Sequence, residues 1–400
     1  MPSSEIYEKT IAHFLAPVLP LLNRGEVTEI MVTGPNLIYF EENGRLHQFD
    51  GRFPDERSLM AAVQNIAEFV GRRLDEDHHS MDARLPNGSR VHAILPPSSR
   101  RGICLTIRKF QPATFNLDRL VKRDSLSAEA AEFLRICVLL RKNIVISGGT
   151  GTGKTSMLNA LSAAVPETER IVVIEDSSEL QLNQTHTVYL EAQPPRPNGR
   201  GGVTIRDLFV DSLRMRPDRI IVGEVRRGEA LDLVQSMISG HAGSLTTVHA
   251  NSPRHASSRL ETLCLMSDTS LPVHVARTQV ASAIDVVLQL SRMSDGSRRV
   301  TAISESLGLD DGDRYQWRDL FGFQGAGTSR DGRIQGKLVR TGMRPTFESE
   351  PFHMGFGEHV TCTTDLFSFE AVGVDCQQGD LQNLQDLCPV SGTRGHLSGE

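Results

Sequence analysis

The chain has 400 residues, 39% hydrophobic and 23% charged, with 43 Lys and Arg against 49 Asp and Glu for a formal charge of −6. That length exceeds what one core usually carries, so two folded domains are expected, and the mild acidity argues against nucleic-acid binding through a dominant basic face. No apolar run reaches the roughly 18 residues a bilayer-spanning helix needs, and Met1–Lys9 lacks the basic start and small-residue cleavage site of a signal peptide. The six cysteines (Cys104, Cys137, Cys264, Cys362, Cys376 and Cys388) form no C-x-x-C pair, which reads as reduced thiols rather than a zinc site or a disulfide framework.

In chain order, Val27–Val32 (VTEIMV) alternates as a strand. Leu37–Glu41 and Arg45–Phe49 are joined through Asn43-Gly44, a pair suited to the positive φ angles of a tight hairpin. A helix is predicted over Ser58–Val70, because Leu59, Val63, Ile66 and Val70 share a face. A second Asn-Gly, Asn87-Gly88, separates Asp82–Arg84 from Val91–Leu95, and the strand Ile103–Phe110 closes an α+β region expected to span residues 1–112. Residues 113–126 read as a linker and hinge, from Pro112, Asn116 and the alternating charges. Ser127 caps a further helix with Glu129 in its first turn.

Five short β-branched runs then alternate with helical segments: Asn143–Ser147, Ile171–Ile174, Ile220–Val222, Ser244–Val248 and Val286–Leu290. This pattern predicts a parallel sheet covered on both faces. The α/β domain is expected to run from 127 to 325, with Val300–Ile303 and Tyr315–Phe323 adding strands. Residues 326–400, rich in Gly, Ser, Thr and Gln, are expected to form a partly disordered tail.

The strongest chemical signal is Gly148-Gly149-Thr150-Gly151-Thr152-Gly153-Lys154-Thr155, which fits G-x-x-x-x-G-K-[ST]. A strand leads in and a helix leads out from Ser156, so backbone N–H groups and a helix N-terminus would surround phosphate oxygens. Lys154 would reach the β- and γ-phosphates of ATP, and the Thr155 hydroxyl would bind Mg²⁺. The plain alternative is a glycine-rich turn. Glu175, Asp176 and Glu179 follow the next predicted strand, at the edge where such sheets bind ligands. Arg219–Glu224 (RIIVGE) is an apolar strand ending in a carboxylate able to hold Mg²⁺ or polarise water. His241 and His249 bracket another strand. Their separation and the missing third ligand disfavour a metal site, leaving a buried, hydrogen-bonded histidine as the bland alternative.

In this order the four elements resemble the Walker A, Asp box, Walker B and His box of the type II/IV secretion ATPases. The match is most similar to the CpaF type of tight-adherence (Flp) pili. It is carried by VTEIMVTGPN at 27–36, MDARLPNGSRVHAILPP at 81–97, SGGTGTGKTS at 147–156, RMRPDRIIVGEVR at 214–226 and GHAGSLTTVHANSPRHASSRLE at 240–261. The resemblance implies a RecA-like P-loop NTPase core preceded by a smaller α+β N-terminal domain, assembled as a homohexamer. It further implies Mg²⁺-dependent ATP hydrolysis on an inner-membrane platform protein, with the chain cytoplasmic and peripherally associated. Direct nucleic-acid binding and a metal cluster are not expected. Glu175 would orient the attacking water, Glu224 would support Mg²⁺ and the same water, His249 would sense the γ-phosphate with help from His241, and Arg84, Arg90 and Arg108 would contact phosphate. Spacing does not rank Glu175 against Glu224 as the base. Arg227 stands where this type commonly has glycine, and an extra N-terminal segment found on many relatives is expected to be short or absent. Conjugation or type IV secretion is the alternative role, a P-loop phosphotransferase and a nucleotide-gated assembly factor the more distant ones.

Overall fold

A computed structural model describes residues 10–110, 116–193, 195 and 199–369. Its first sheet is antiparallel, with β1 (Val27–Thr33), β2 (Leu37–Glu42), β3 (Arg45–Phe49), β4 (Ser80–Arg84), β5 (Arg90–Ile94) and β6 (Cys104–Arg108) in the order β3-β2-β1-β6-β5-β4. Both Asn43 (φ 50°) and Gly44 (φ 77°) adopt positive φ, as the predicted hairpin requires. Helix α1 (Glu56–Phe69), capped by Asp55, covers one face of the sheet through Leu59, Ala62, Val63 and Ile66. The inward residues Ile30, Val32, Ile38, Phe40, Val91, Ala93, Leu105 and Ile107 fall two apart on their strands, so their neighbours face the other way.

Among the described residues the second sheet has nine strands: β7 (Ile144–Gly148), β8 (Ile171–Glu175), β9 (Thr187–Glu191), β10 (Arg219–Val222), β11 (Leu245–Val248), β12 (Val286–Arg292), β13 (Arg298–Leu309), β14 (Tyr315–Thr328) and β15 (Ile334–Arg340). The order is β15-β14-β13-β12-β7-β11-β10-β8-β9. β12 through β9 are parallel, and β13, β14 and β15 extend the sheet antiparallel.

Both faces of the parallel part are buried. Ile144, Ile146, Ile171 and Val173 join a core with α2 (Leu117–Lys122), α3 (Ala128–Leu139) and α4 (Lys154–Ser162). Val145, Val172 and Ile174 point the other way, into a core with α5 (Ile205–Ser212), α6 (Glu229–Ile238), α7 (Pro253–Leu265) and α8 (Val273–Ala283). The α/β RecA-like core behind an α+β N-terminal sheet is the fold expected from the sequence.

Two boundaries differ from the sequence reading. Within the expected linker, Asn116 caps α2, and Leu117, Leu120 and Leu126 are buried in the core of the second sheet. Residues 111–115 of the expected linker and hinge lie outside the described residues. The sheet also does not stop at 325, since β14 runs to Thr328 and pairs with β15. Beyond it, Phe347, Leu366 and Phe367 pack around Phe133 of α3. The exposed outer half of β14 lacks the alternation by which strands are recognised. The expected disorder of 376–400 lies outside the described residues.

Candidate functional site

The carboxyl ends of the central parallel strands converge. Gly148 ends β7 and begins the phosphate loop, and the loop's glycines are demanded by space and torsion. A Cβ on Gly148 would sit 2.5 Å from Thr152 Oγ1 and 2.9 Å from the Leu290 carbonyl oxygen. Gly151 (φ 71°) and Gly153 (φ 93°) are left-handed. Gly153 is the N-cap of α4, so Lys154, Thr155 and Ser156 form its first turn, where backbone N–H groups lack helical partners. Lys154 Nζ donates to the Gly148 and Gly149 carbonyls at 3.1 and 3.0 Å.

Glu224 follows β10 and His249 follows the adjacent strand β11. Glu224 Oε1 lies 2.7 Å from His249 Nε2, and Lys154 Nζ lies 3.3 Å from His249 Nδ1. Burial first, then the Lys154 charge, holds the His249 imidazolium down, while Glu224 acts in the opposite sense. Burial also lowers the Lys154 ammonium. His241 is placed elsewhere. The four residues of β11 separate it from His249, which puts it at the opposite edge of the sheet. Within the chain it does not join the cluster.

Glu175 ends β8 and is only 4% exposed. Its Oε1 accepts from the Glu179 and Leu180 N–H groups at 2.8 and 3.1 Å. Burial dominates these bonds and pushes its carboxyl up to about 7. A Cβ at Gly223 would come within 2.9 Å of Glu175 Cγ, so the glycine before Glu224 gives Glu175 its space.

The three predicted arginines form one cross-strand line. Arg84 pairs with Arg90, and Arg90 with Arg108, on the face of the first sheet opposite its core. Like charges directly opposite one another repel, and the loop after β8 supplies their counter-charges. Arg90 Nη1 and Arg108 Nη1 lie 3.2 and 3.5 Å from Glu179 Oε1. Arg84 donates to the Ser177 hydroxyl and the Ser178 carbonyl, and Arg90 to the Ser177 carbonyl. The N-terminal sheet therefore faces the β8 edge of the nucleotide loop within a single chain.

Sequence reasoning gave no role to Arg226 and read Glu179 only as part of the acidic run at the sheet edge. Arg226 bridges Glu224 at 2.7 Å and Asp176 at 3.2 Å. The Arg-Arg pair after β10 was visible, but only the fold shows which member turns inward. Arg227 uses its backbone N–H to cap toward Glu229.

Fold and site together define a P-loop nucleotide-binding protein of the RecA-like class, with an accessory sheet apposed to the nucleotide edge. The chain belongs to the type II/IV secretion system protein family, whose model matches residues 12–335. It is 37% identical over 291 residues to a putative conjugal transfer protein of Mycobacterium tuberculosis, covering 71% of this chain and 82% of the relative. It is 34% identical over 319 residues to the type IV secretion system protein PtlH of Bordetella pertussis, covering 73% and 94%. Among solved structures, the Yersinia pseudotuberculosis ATPase DotB aligns over 78% of this chain and 81% of its own, with 16% identity and a TM-score of 0.51, a likeness of fold.

Proposed function

We propose that this protein is an ATP-hydrolysing motor that works as a homohexameric ring on a membrane component of a bacterial envelope machine. The reading rests on one observation: Lys154, His249 and Glu224 meet beside a formed phosphate loop. A glycine turn of purely structural use has no need of those partners. The relatives named for conjugal transfer and type IV secretion favour that role over the tight-adherence pilus assembly expected first. No helix among the described residues is long and apolar enough to cross a membrane, so docking to the envelope would run through partners.

The residues fit Mg²⁺ and a nucleoside triphosphate. Thr155 and Glu224 supply the hard oxygen ligands such an ion takes, and Lys154 with the loop amides supplies the phosphate cradle. Mg²⁺ held there would supply neutralisation of phosphate charge. The Lys154 ammonium, now resting on two loop carbonyls, would transfer to phosphate oxygens. Glu175 or Glu224 as carboxylate would orient the attacking water. His249, held between Glu224 and Lys154, would report the state of the γ-phosphate to β11. Arg84, Arg90 and Arg108 would stabilise negative charge from the N-terminal domain, so that turnover requires the two domains to be seated together.

The test is ATP turnover per subunit across protein concentrations, alongside the mass of the assembled species. A rate that climbs with assembly supports a ring with shared sites. A constant rate per subunit in a dilute monomer rejects the ring mechanism.

A further inference from the structure

The two domains also touch at a second place. The Asn43-Gly44 turn of the first sheet meets the Asp295-Gly296 turn between β12 and β13, backbone against backbone. A Cβ on Gly44 would lie 2.9 Å from the Gly296 carbonyl oxygen, and one on Gly296 3.1 Å from that of Gly44. Glu41, Arg292 and Arg298 are linked across this contact. Glu41, on β2, is 9% exposed and accepts from the Thr28 hydroxyl at 2.6 Å. Arg292, at the end of β12, lies 2.7 Å from Glu41 Oε1 and donates to the Gly44 carbonyl. Arg298, at the start of β13, has Nη2 3.8 Å from Glu41 Oε2, while its Nε donates to the Gly151 carbonyl of the phosphate loop at 2.8 Å.

This last bond bears on nucleotide binding. In a trans peptide the C=O and the following N–H point to opposite sides. Fixing the Gly151 carbonyl on Arg298 therefore fixes the direction of the Thr152 N–H, one of the amides a phosphate loop turns toward its anion. Gly151 has no side chain to prefer one peptide orientation over another, so the restraint has to come from a neighbour. The Arg298 stem also lies against the loop, with its Cδ 3.4 Å from where a Gly153 Cβ would be. A long side chain loses rotamer freedom when held in one place, and Glu41 supplies the charge that holds it. Glu41 belongs to the same cross-strand line as the three arginines that face the loop after β8, through Glu29 to Arg108, Arg90 and Arg84.

We propose that Arg298 is a positioning residue for the phosphate loop and that Glu41, on the other domain, sets its position. Nucleotide affinity then depends on how the N-terminal sheet is seated. The inference rests on reading the loop as a nucleotide site, and its test separates the two.

The experiment is calorimetric titration of the full chain with ADP, with the melting temperature of the free protein measured beside it. Arg298→Ala should weaken binding about tenfold, the size of one charge-assisted hydrogen bond. Glu41→Gln should weaken it by a smaller factor, and the double variant should bind like Arg298→Ala alone, because both changes act through one contact. Arg298→Lys, whose ammonium lacks the planar fork that serves two acceptors at once, should also bind more weakly at an unchanged melting temperature. It carries the test if the alanine variant does not fold. Lys154→Ala is the control. If it loses binding while both Arg298 variants bind like wild type, the positioning role is rejected and the nucleotide site stands. If Lys154→Ala binds like wild type, the nucleotide reading falls and the inference with it. Additive losses from Glu41→Gln and Arg298→Ala would overturn the coupling between domains.

Discussion

Glu224 Oε1 and His249 Nε2 lie 2.7 Å apart, at the carboxyl ends of two adjacent parallel strands. The pair is held from both sides, by Arg226 on the second Glu224 oxygen and by Lys154 against the imidazole. If Glu224 serves the metal and the attacking water, removing its charge should spare the ground-state cradle formed by the loop. Glu224→Gln is therefore expected to keep nucleotide binding within a few-fold while turnover falls by roughly two to three orders of magnitude. Paired ADP titration and phosphate-release assays check this. Loss of binding in step with turnover would assign Glu224 to the cradle instead.

Glu175 predicts a pH dependence of two kinds. Its carboxyl titrates near 7 in the fold against 4.5 for an ordinary glutamate, because burial outweighs the bonds it accepts. As the active carboxylate, it should make turnover fall as pH drops through about 7. For stability the sign reverses. The folded state holds this proton more tightly than the unfolded chain, so the contribution is full below 4.5 and lost as pH rises through about 7. Glu175→Gln should be inactive if Glu175 is that carboxylate, and in either case melt higher than wild type at pH 8, with a gain of up to about 3 kcal/mol that shrinks toward pH 5. Melting curves at several pH values decide it, and a gain independent of pH would exclude titration as its source.

How far the sequence carried depends on the range of the interaction. Each apolar run before Gly148, Glu175, Glu224 and His249 is a strand, because β-branched residues buried on both faces leave a local signature. Arg84, Arg90 and Arg108 were recognisable as motif residues, but their alignment depends on strand register. Glu41, Arg292 and Arg298 were not legible at all. Each reads locally as an ordinary surface charge, and they meet across some 250 residues of chain. Leu117 and Leu120 were lost to the linker because a helix of six residues shows too little periodicity.

The Arg219 side chain is fully buried at the amino end of β10. It donates to Glu169, to the Val138 carbonyl at 2.8 Å and to the Gly243 carbonyl, while burial pulls its guanidinium below the usual arginine value. Removing one partner of such a pair strands a charge, whereas replacing both need not. Glu169→Ala is expected to destabilise by about 3 kcal/mol, and Glu169→Ala with Arg219→Met to recover part of that loss. Denaturant titration of both variants measures it. An equal loss in the double variant would mean that the Arg219 carbonyl contacts, rather than the ion pair, hold this edge.

The segment after β15 supplies the last prediction, because a carboxylate of α3 fastens its 361–363 stretch. Glu132 of α3 accepts the N–H groups of Thr361, Cys362 and Thr363 at 2.8 to 2.9 Å and the hydroxyls of both threonines. Burial opposes its ionisation, but these bonds prevail and hold the carboxyl down to about 2. A depressed folded value stabilises above the unfolded 4.5 and is lost as pH falls through about 2. Glu132→Gln keeps the shape but loses the charge, so it should melt lower than wild type at pH 7, with the gap closing as the pH approaches 2. The damage should be local. Phe347 and Phe367, which rest on Phe133 beside Glu132, should gain amide exchange along 346–367 while ADP affinity holds, since the fastening lies apart from the phosphate loop. Exchange measured segment by segment distinguishes this from a general loosening, in which β7 and α4 would exchange faster as well.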